Sequence, residues 1–203
     1  MKFLKLLDEL KVQYANDMKI RENGTILLMP RTVPRARHML FKPLTEELIN
    51  EYLISQYVHK FPAEYAEFLK YTNGANLFTV KLWHTIKKKR IPTAGGLFTI
   101  FGLPRTQPYG RPDEMEEPFD VRIEDLSRHK DLPNTWMKCG TYTRNYDMHT
   151  ENDIFIDTET SRVYACIRRE DIIVDSWESL DECFCTIFSS FSDMKDEYEF
   201  VKK

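Results

Sequence analysis

Apolar residues recur with two different periods along this chain, and the changes of period mark its elements. From position 2 to 14 the spacing is helical, with Phe3, Leu7, Leu10 and Tyr14 on one stripe. Asn23-Gly24 then signals a turn, and GTILLMP reads as a short strand closed by Pro30. RTVPRARHMLFKP follows, with prolines near its ends and Arg31, Arg35 and Arg37 between, and reads as a basic connector ending at Pro43. Helical spacing resumes after Thr45, which can cap a helix with Glu46 and Glu47 in its first turn. Leu48, Ile49, Tyr52, Leu53 and Tyr57 supply its apolar face.

The sharpest helical signal is FPAEYAEFLKYTNG at 61–74. Pro62 suits the first helical position, where a missing N–H costs nothing. Tyr65, Phe68, Leu69 and Thr72 share one face, while Glu64, Glu67 and Lys70 fall between them and stay in water. Asn73-Gly74 stops the helix, because glycine tolerates the left-handed conformation there.

Beyond it the period shortens to two. ANLFTVKLW and GLFTIFGL read as strands, separated by HTIKKKRIPTAGG, a hairpin loop with a solvated basic tip. Four prolines exclude regular structure from 104–120, and VRIEDLSRHK holds at most a helical turn. WMKCGTYT reads as a strand, and NDIFID and RVYACI form a hairpin around TETS. DIIV adds a strand or an edge segment. The last helix starts at Ser176 or Ser179, and the second choice gives the capping box Ser179-x-x-Glu182. Trp177, Leu180, Phe184, Ile187, Phe188 and Phe191 form its apolar stripe, and the tail at 192–203 frays. The predicted fold is α+β, a largely antiparallel sheet of about five or six strands flanked by N-terminal and C-terminal helices.

Four of these segments, in this order, carry a resemblance. Pro-x-x-Tyr-x-x-Phe-Leu ending in Asn-Gly, LFTIFGLPR at 97–105, NDIFIDTETSRVYACI at 152–167 and DSWESLDECFCTIF at 175–188 resemble the SUKH superfamily, the Smi/Knr-type domain. The resemblance covers about residues 45–191. It implies a division into an N-terminal helical extension and basic connector (1–44), a SUKH-like domain (45–191) and an acidic tail (192–203). The family commonly offers a glycine in the turn where Ser161 stands here. It is known mainly for bacterial immunity proteins that neutralise toxin domains, often nucleases, of polymorphic toxin systems. Eukaryotic members include a regulator of fungal cell-wall synthesis. The resemblance therefore implies a non-catalytic binder, with a regulatory scaffold as the alternative.

Composition narrows the class. Of 203 residues, 42% are hydrophobic and 30% charged, which suits a folded chain rather than a disordered one. The apolar runs fall far short of the ~20 residues of a membrane span. MKFLKLLDELK carries charge throughout and does not read as a secretory signal, so a cytoplasmic location is expected. The four cysteines, Cys139, Cys166, Cys183 and Cys185, are then expected as reduced thiols. Cys183 and Cys185 point roughly 200° apart on a helix and cannot clamp one metal ion.

Charge is unevenly spread. Residues 1–112 hold 18 Lys and Arg against 9 Asp and Glu, whereas 113–203 hold 11 against 23. Such a split marks either a surface for a charged partner or two halves that neutralise each other on packing.

Candidate chemistry is sparse. There is no G-x-S-x-G elbow, no Walker loop and no G-x-G-x-x-G. His38, His59, His84, His129 and His149 are scattered, and DMHTEND around His149 lacks the glycine of a calcium loop. No catalytic residue, metal or cofactor is expected. KKKR at 87–90 has no interleaved aromatics and reads as a device that keeps an edge soluble, without direct nucleic-acid contact.

The acidic run at 111–125 is the candidate binding surface. Asp113, Glu114, Glu116, Glu117, Asp120, Glu124 and Asp125 outnumber Arg111 and Arg122. Tyr109, Met115 and Phe119 offer apolar anchors, and the prolines limit the entropy lost on docking. The expected partner is a cognate toxin domain of basic, nuclease type. A hydrolase reading would require these carboxylates to fold back together.

Overall fold

In a computed structural model, the structure describes residues 1–29, 38–55, 61–86, 89–103, 132–143, 151–168, 170–192 and 199–200. The first apolar stripe folds as α1 (Lys2–Gln13), with Phe3, Leu7 and Leu10 buried. The strands β1 (Met18–Ile20), β2 (Ile26–Leu28) and β3 (His38–Leu40) follow. The helices α2 (Glu46–Ser55) and α3 (Ala63–Tyr71) lead into the long strands β4 (Ala75–Ile86) and β5 (Lys89–Ile100). The rest of the sheet is β6 (Trp136–Thr143), β7 (Glu151–Asp157), β8 (Val163–Ile167) and β9 (Ile173–Trp177), before α4 (Leu180–Phe191) and a short β10 (Glu199–Phe200).

Among the described residues, nine strands pair in chain order as one antiparallel meander from β1 to β9, and β10 joins β4 in parallel. The class is the α+β one expected, but the sheet exceeds five or six strands. The excess comes from short pieces. Burial of Met18, Lys19 and Ile20 on β1 is too slight to leave an alternating pattern, and β3 falls within what reads as a basic connector.

The run at 84–96 is also largely strand rather than loop. Backbone pairing continues through Trp83↔Pro92 to Ile86↔Lys89. Pro92 is tolerated because β6 pairs with β5 only at Phe98, Thr99 and Ile100, so that stretch of β5 needs no second ladder. Trp177 belongs to β9, not to the last helix, because Ser179 is the N-cap of α4.

One aromatic core joins the helices to the sheet. The Phe3 ring lies 5.1 Å from Phe184, 6.0 Å from Phe188 and 6.2 Å from both Phe68 and Phe98. Phe68 also meets Phe184 at 5.6 Å and stacks with Tyr65. Burying a side chain of this size is worth about 1.5–3 kcal/mol.

The helix ends are stitched together. α1 has no side-chain cap of its own; the Lys2 and Phe3 amides donate instead to the Asp181 carboxylate at 2.9 Å each. The N-terminus of α4 is capped by Ser179 Oγ, which accepts from the Glu182 amide at 3.1 Å. Glu64 of α3 accepts from the Leu180 and Asp181 amides at 2.8 and 3.3 Å. Each carboxylate thus meets the positive end of a neighbouring helix.

A second clamp follows α3. Thr72 is the C-cap rather than part of the helix, and Gly74 takes φ +90°, which favours glycine. The Asn73 side chain accepts from the Leu103 amide at 2.7 Å and donates to the Leu103 carbonyl at 3.0 Å. Gly102 makes room for this, since a Cβ there would meet the Asn73 carbonyl oxygen at 2.3 Å.

Candidate functional site

The side chains expected to bind a partner, Tyr109, Asp113, Glu114, Glu116, Glu117, Phe119, Asp120, Glu124 and Asp125, lie outside the described residues. So do Arg111, Arg122, the 87–88 part of the KKKR run and His149.

Within the described residues, polar groups concentrate in a line across the sheet. Cross-strand pairing sets Asn76 beside Thr99, Thr99 beside Thr141, and Thr141 beside Asp153. Alternation along β7 puts Asp153 on the face of Phe155, opposite the face that presents Ile154 and Ile156 to the main core. The four side chains retain only 3, 5, 7 and 2% of their exposure. Among the described residues, the buried side chains of the helices join the main core; the smaller cluster on this second face consists of Trp136, Phe155 and Cys166, with Leu132 and Tyr164 against it. Trp136 and Tyr164 stack at 4.2 Å.

Lys138 joins the line from β6. Its ammonium lies 3.0 Å from Asp153 and 5.7 Å from the centre of the Phe101 ring. Both charges of the pair are nearly inaccessible. Such a pair gives little net stability, because desolvation offsets the attraction, but losing one partner strands the other. The amide oxygen of Asn76 is buried with no hydrogen-bond partner.

The arrangement can hold a register and present fixed dipoles, but it lacks an activated nucleophile. The sulfur beside it, Cys166, is pushed up to about 11 by burial and by the negative charges of Asp153 and Asp171, so it stays a thiol near neutral pH. Burial likewise raises the Cys139 and Cys183 thiols. Among the described residues, no three His, Cys, Asp or Glu side chains come together to hold a metal ion.

The β7–β8 turn is ordered by one carboxylate. Asp157 accepts from the Glu159 amide at 3.0 Å and the Thr160 hydroxyl at 2.7 Å. Burial alone would raise its carboxyl, but these bonds hold it below the ordinary carboxylate value. Ser161 occupies the left-handed region at φ +63°.

Lys138, Asp153, Thr99, Thr141 and Asn76 were missed as a group by the sequence reading. The available signal was a polar residue at the same alternate position of four apolar strands, and it becomes visible only once the pairing register is known.

Fold and site together define an α+β protein with a sequential antiparallel sheet, one helix-covered face and a polar line on the other. No family model, no curated protein and no solved structure matches the chain. Among the described residues, no helix is long and apolar enough to cross a membrane.

Proposed function

We propose that this protein is a non-catalytic immunity protein of the SUKH type, which binds a cognate toxin domain in the cytoplasm and occludes its substrate groove. The observation that carries the reading is how the resembling segments interlock. Tyr65 of the first segment donates to the Phe101 carbonyl of the second at 2.8 Å, and Asn73 grips Leu103 of the second through two bonds. Glu64 of the first caps the helix of the fourth, and Phe68 packs on its Phe184. The third segment forms the β7–β8 pair beside them.

The partner follows from charge. A nuclease domain carries a basic surface because it binds phosphates. The acidic run at 111–125 would imitate that substrate and speed encounter, with Tyr109 and Phe119 as apolar anchors.

Co-expression with a candidate toxin domain, sought among the products of the neighbouring genes, is the test. Rescue of growth is expected, and rescue should persist when Asp153 and Lys138 are replaced together by apolar residues, since neither is assigned a catalytic role. Failure to rescue, with both proteins soluble, overturns the reading.

A further inference from the structure

The sheet is an open meander, and its two edges carry most of the exposed large apolar side chains. Among the described residues β1 pairs only with β2 and β9 only with β8, and the two do not pair with each other. Six large apolar residues are exposed there; Met18 and Ile20 lie on β1, and Ile172 and Ile173 lie beside or on β9. Ile20 keeps 66% of its exposure and Ile172 54%, so neither edge is covered at these positions.

The two edges match. On β1 the Asp17 carbonyl accepts from the Met29 amide and the Arg21 amide donates to the Thr25 carbonyl, so the backbone of 17, 19 and 21 faces β2. The intervening amides and carbonyls, at Met18 and Ile20, point out from the sheet edge. Nine strands alternate in direction, so β1 and β9 run the same way. Ile20 stands opposite Ile26, which packs on the main core, and Ile173 stands opposite Cys166 on the second face. Alternation then gives Ile20 and Ile172 one face, and Lys19 and Asp171 the other.

We propose that β1 of one copy pairs in parallel with β9 of a second copy, head to tail, with Ile20 beside Ile172 and Lys19 beside Asp171. Both matches fall in a single register, and the helices stay on one side of the joined sheet. Pairing β1 with another β1 about its middle residue would instead oppose Lys19 to Lys19, which is destabilising. The contact is heterologous, so a pair keeps one open edge of each kind and grows beyond two. The join is short and belongs to the weak class of interfaces, below about 1,200 Å². It is independent of the immunity reading. The brevity of β1, its lysine and the register shift between β8 and β9 are also devices that keep edges apart, and the variants separate that role from pairing.

Sedimentation velocity of the full chain over a concentration series should show a mean size that rises with concentration past that of a dimer. Ile20→Lys blocks β1 and Ile172→Lys blocks β9; each variant alone should stay monomeric, with its melting temperature unchanged because both side chains are exposed. Ile20→Gln and Ile172→Gln read the same loss if lysine impairs folding. Mixed in equal amounts, the two variants should form a dimer and nothing larger, since one intact β1 and one intact β9 remain. Lys19→Glu should weaken association, and adding Asp171→Lys to the same chain should restore it. A wild type that stays monomeric throughout the series overturns the proposal. So does association that survives in either single variant, which assigns the contact to an edge pairing with its own kind or to another surface, and so does a mixture that stays monomeric.

Discussion

At the scale of single residues, the clamp between Asn73 and Gly102 shows what a linear reading misses. Asn73-Gly74 is legible as a helix stop, because that signal is local. The bond from Asn73 to Leu103 spans 30 positions, and nothing in the periodicity announces it. Asn73→Ala should cost about 1–3 kcal/mol for each Leu103 group left unpaired, measured by denaturant titration. Ser161 was legible as the odd residue of its turn, and its φ of +63° gives the reason. Ser161→Gly should raise stability by about 1 kcal/mol, since a side chain in this conformation is strained. Asp157 makes the turn sensitive to acid. Its folded carboxyl lies below the unfolded value, so its contribution is present above the unfolded value and is lost as pH falls through the folded one. Asp157→Asn should therefore flatten the acid limb of the stability profile, and an unchanged limb would show that the turn does not depend on that charge. Thiol labelling of the folded protein should reach Cys185 before Cys139, Cys166 and Cys183, which are buried.

At the scale of elements, the helices were more legible than the strands. α1, α3 and α4 have long amphipathic stripes, and the Ser179 capping box places the start of α4 correctly. Strands of three residues, such as β1 and β3, offer too few alternations to detect. Trp177 fits the helical stripe by spacing, yet tertiary pairing with Val163 claims it for β9. The central role of α3 is testable: Phe68 is fully buried, and Phe68→Ala should cost about 3–5 kcal/mol. A loss below about 1 kcal/mol would make this helix peripheral. The ion pair between β6 and β7 makes a contrasting prediction. Lys138→Ala should cost about 3–5 kcal/mol by stranding Asp153, whereas replacing both by apolar residues of similar volume should be close to neutral in thermal melts.

At the scale of the whole molecule, the sequence foretold the class and the antiparallel order, but not the extent of the sheet or its polar second face. Burial of Asn76, Thr99, Thr141 and Asp153 depends on which strands pair and in what register, and neither is encoded by a local pattern. The expected binding surface at 109–125 is legible only as composition: charge, prolines and two aromatic residues. Its mechanism makes separable predictions. Reversal of Glu114, Glu116 and Glu117 to Lys should chiefly slow association, because peripheral charges act on encounter. Replacement of Tyr109 or Phe119 by Ala should instead speed dissociation, because anchors act on residence. The most direct measurement is the association and dissociation rates of the purified protein with a candidate toxin domain of basic, nuclease type, at low and high salt. The account predicts tight binding whose association rate falls with salt and with the three charge reversals. Tight binding indifferent to both would remove the acidic run from the mechanism, and no binding at all would contradict the immunity function itself.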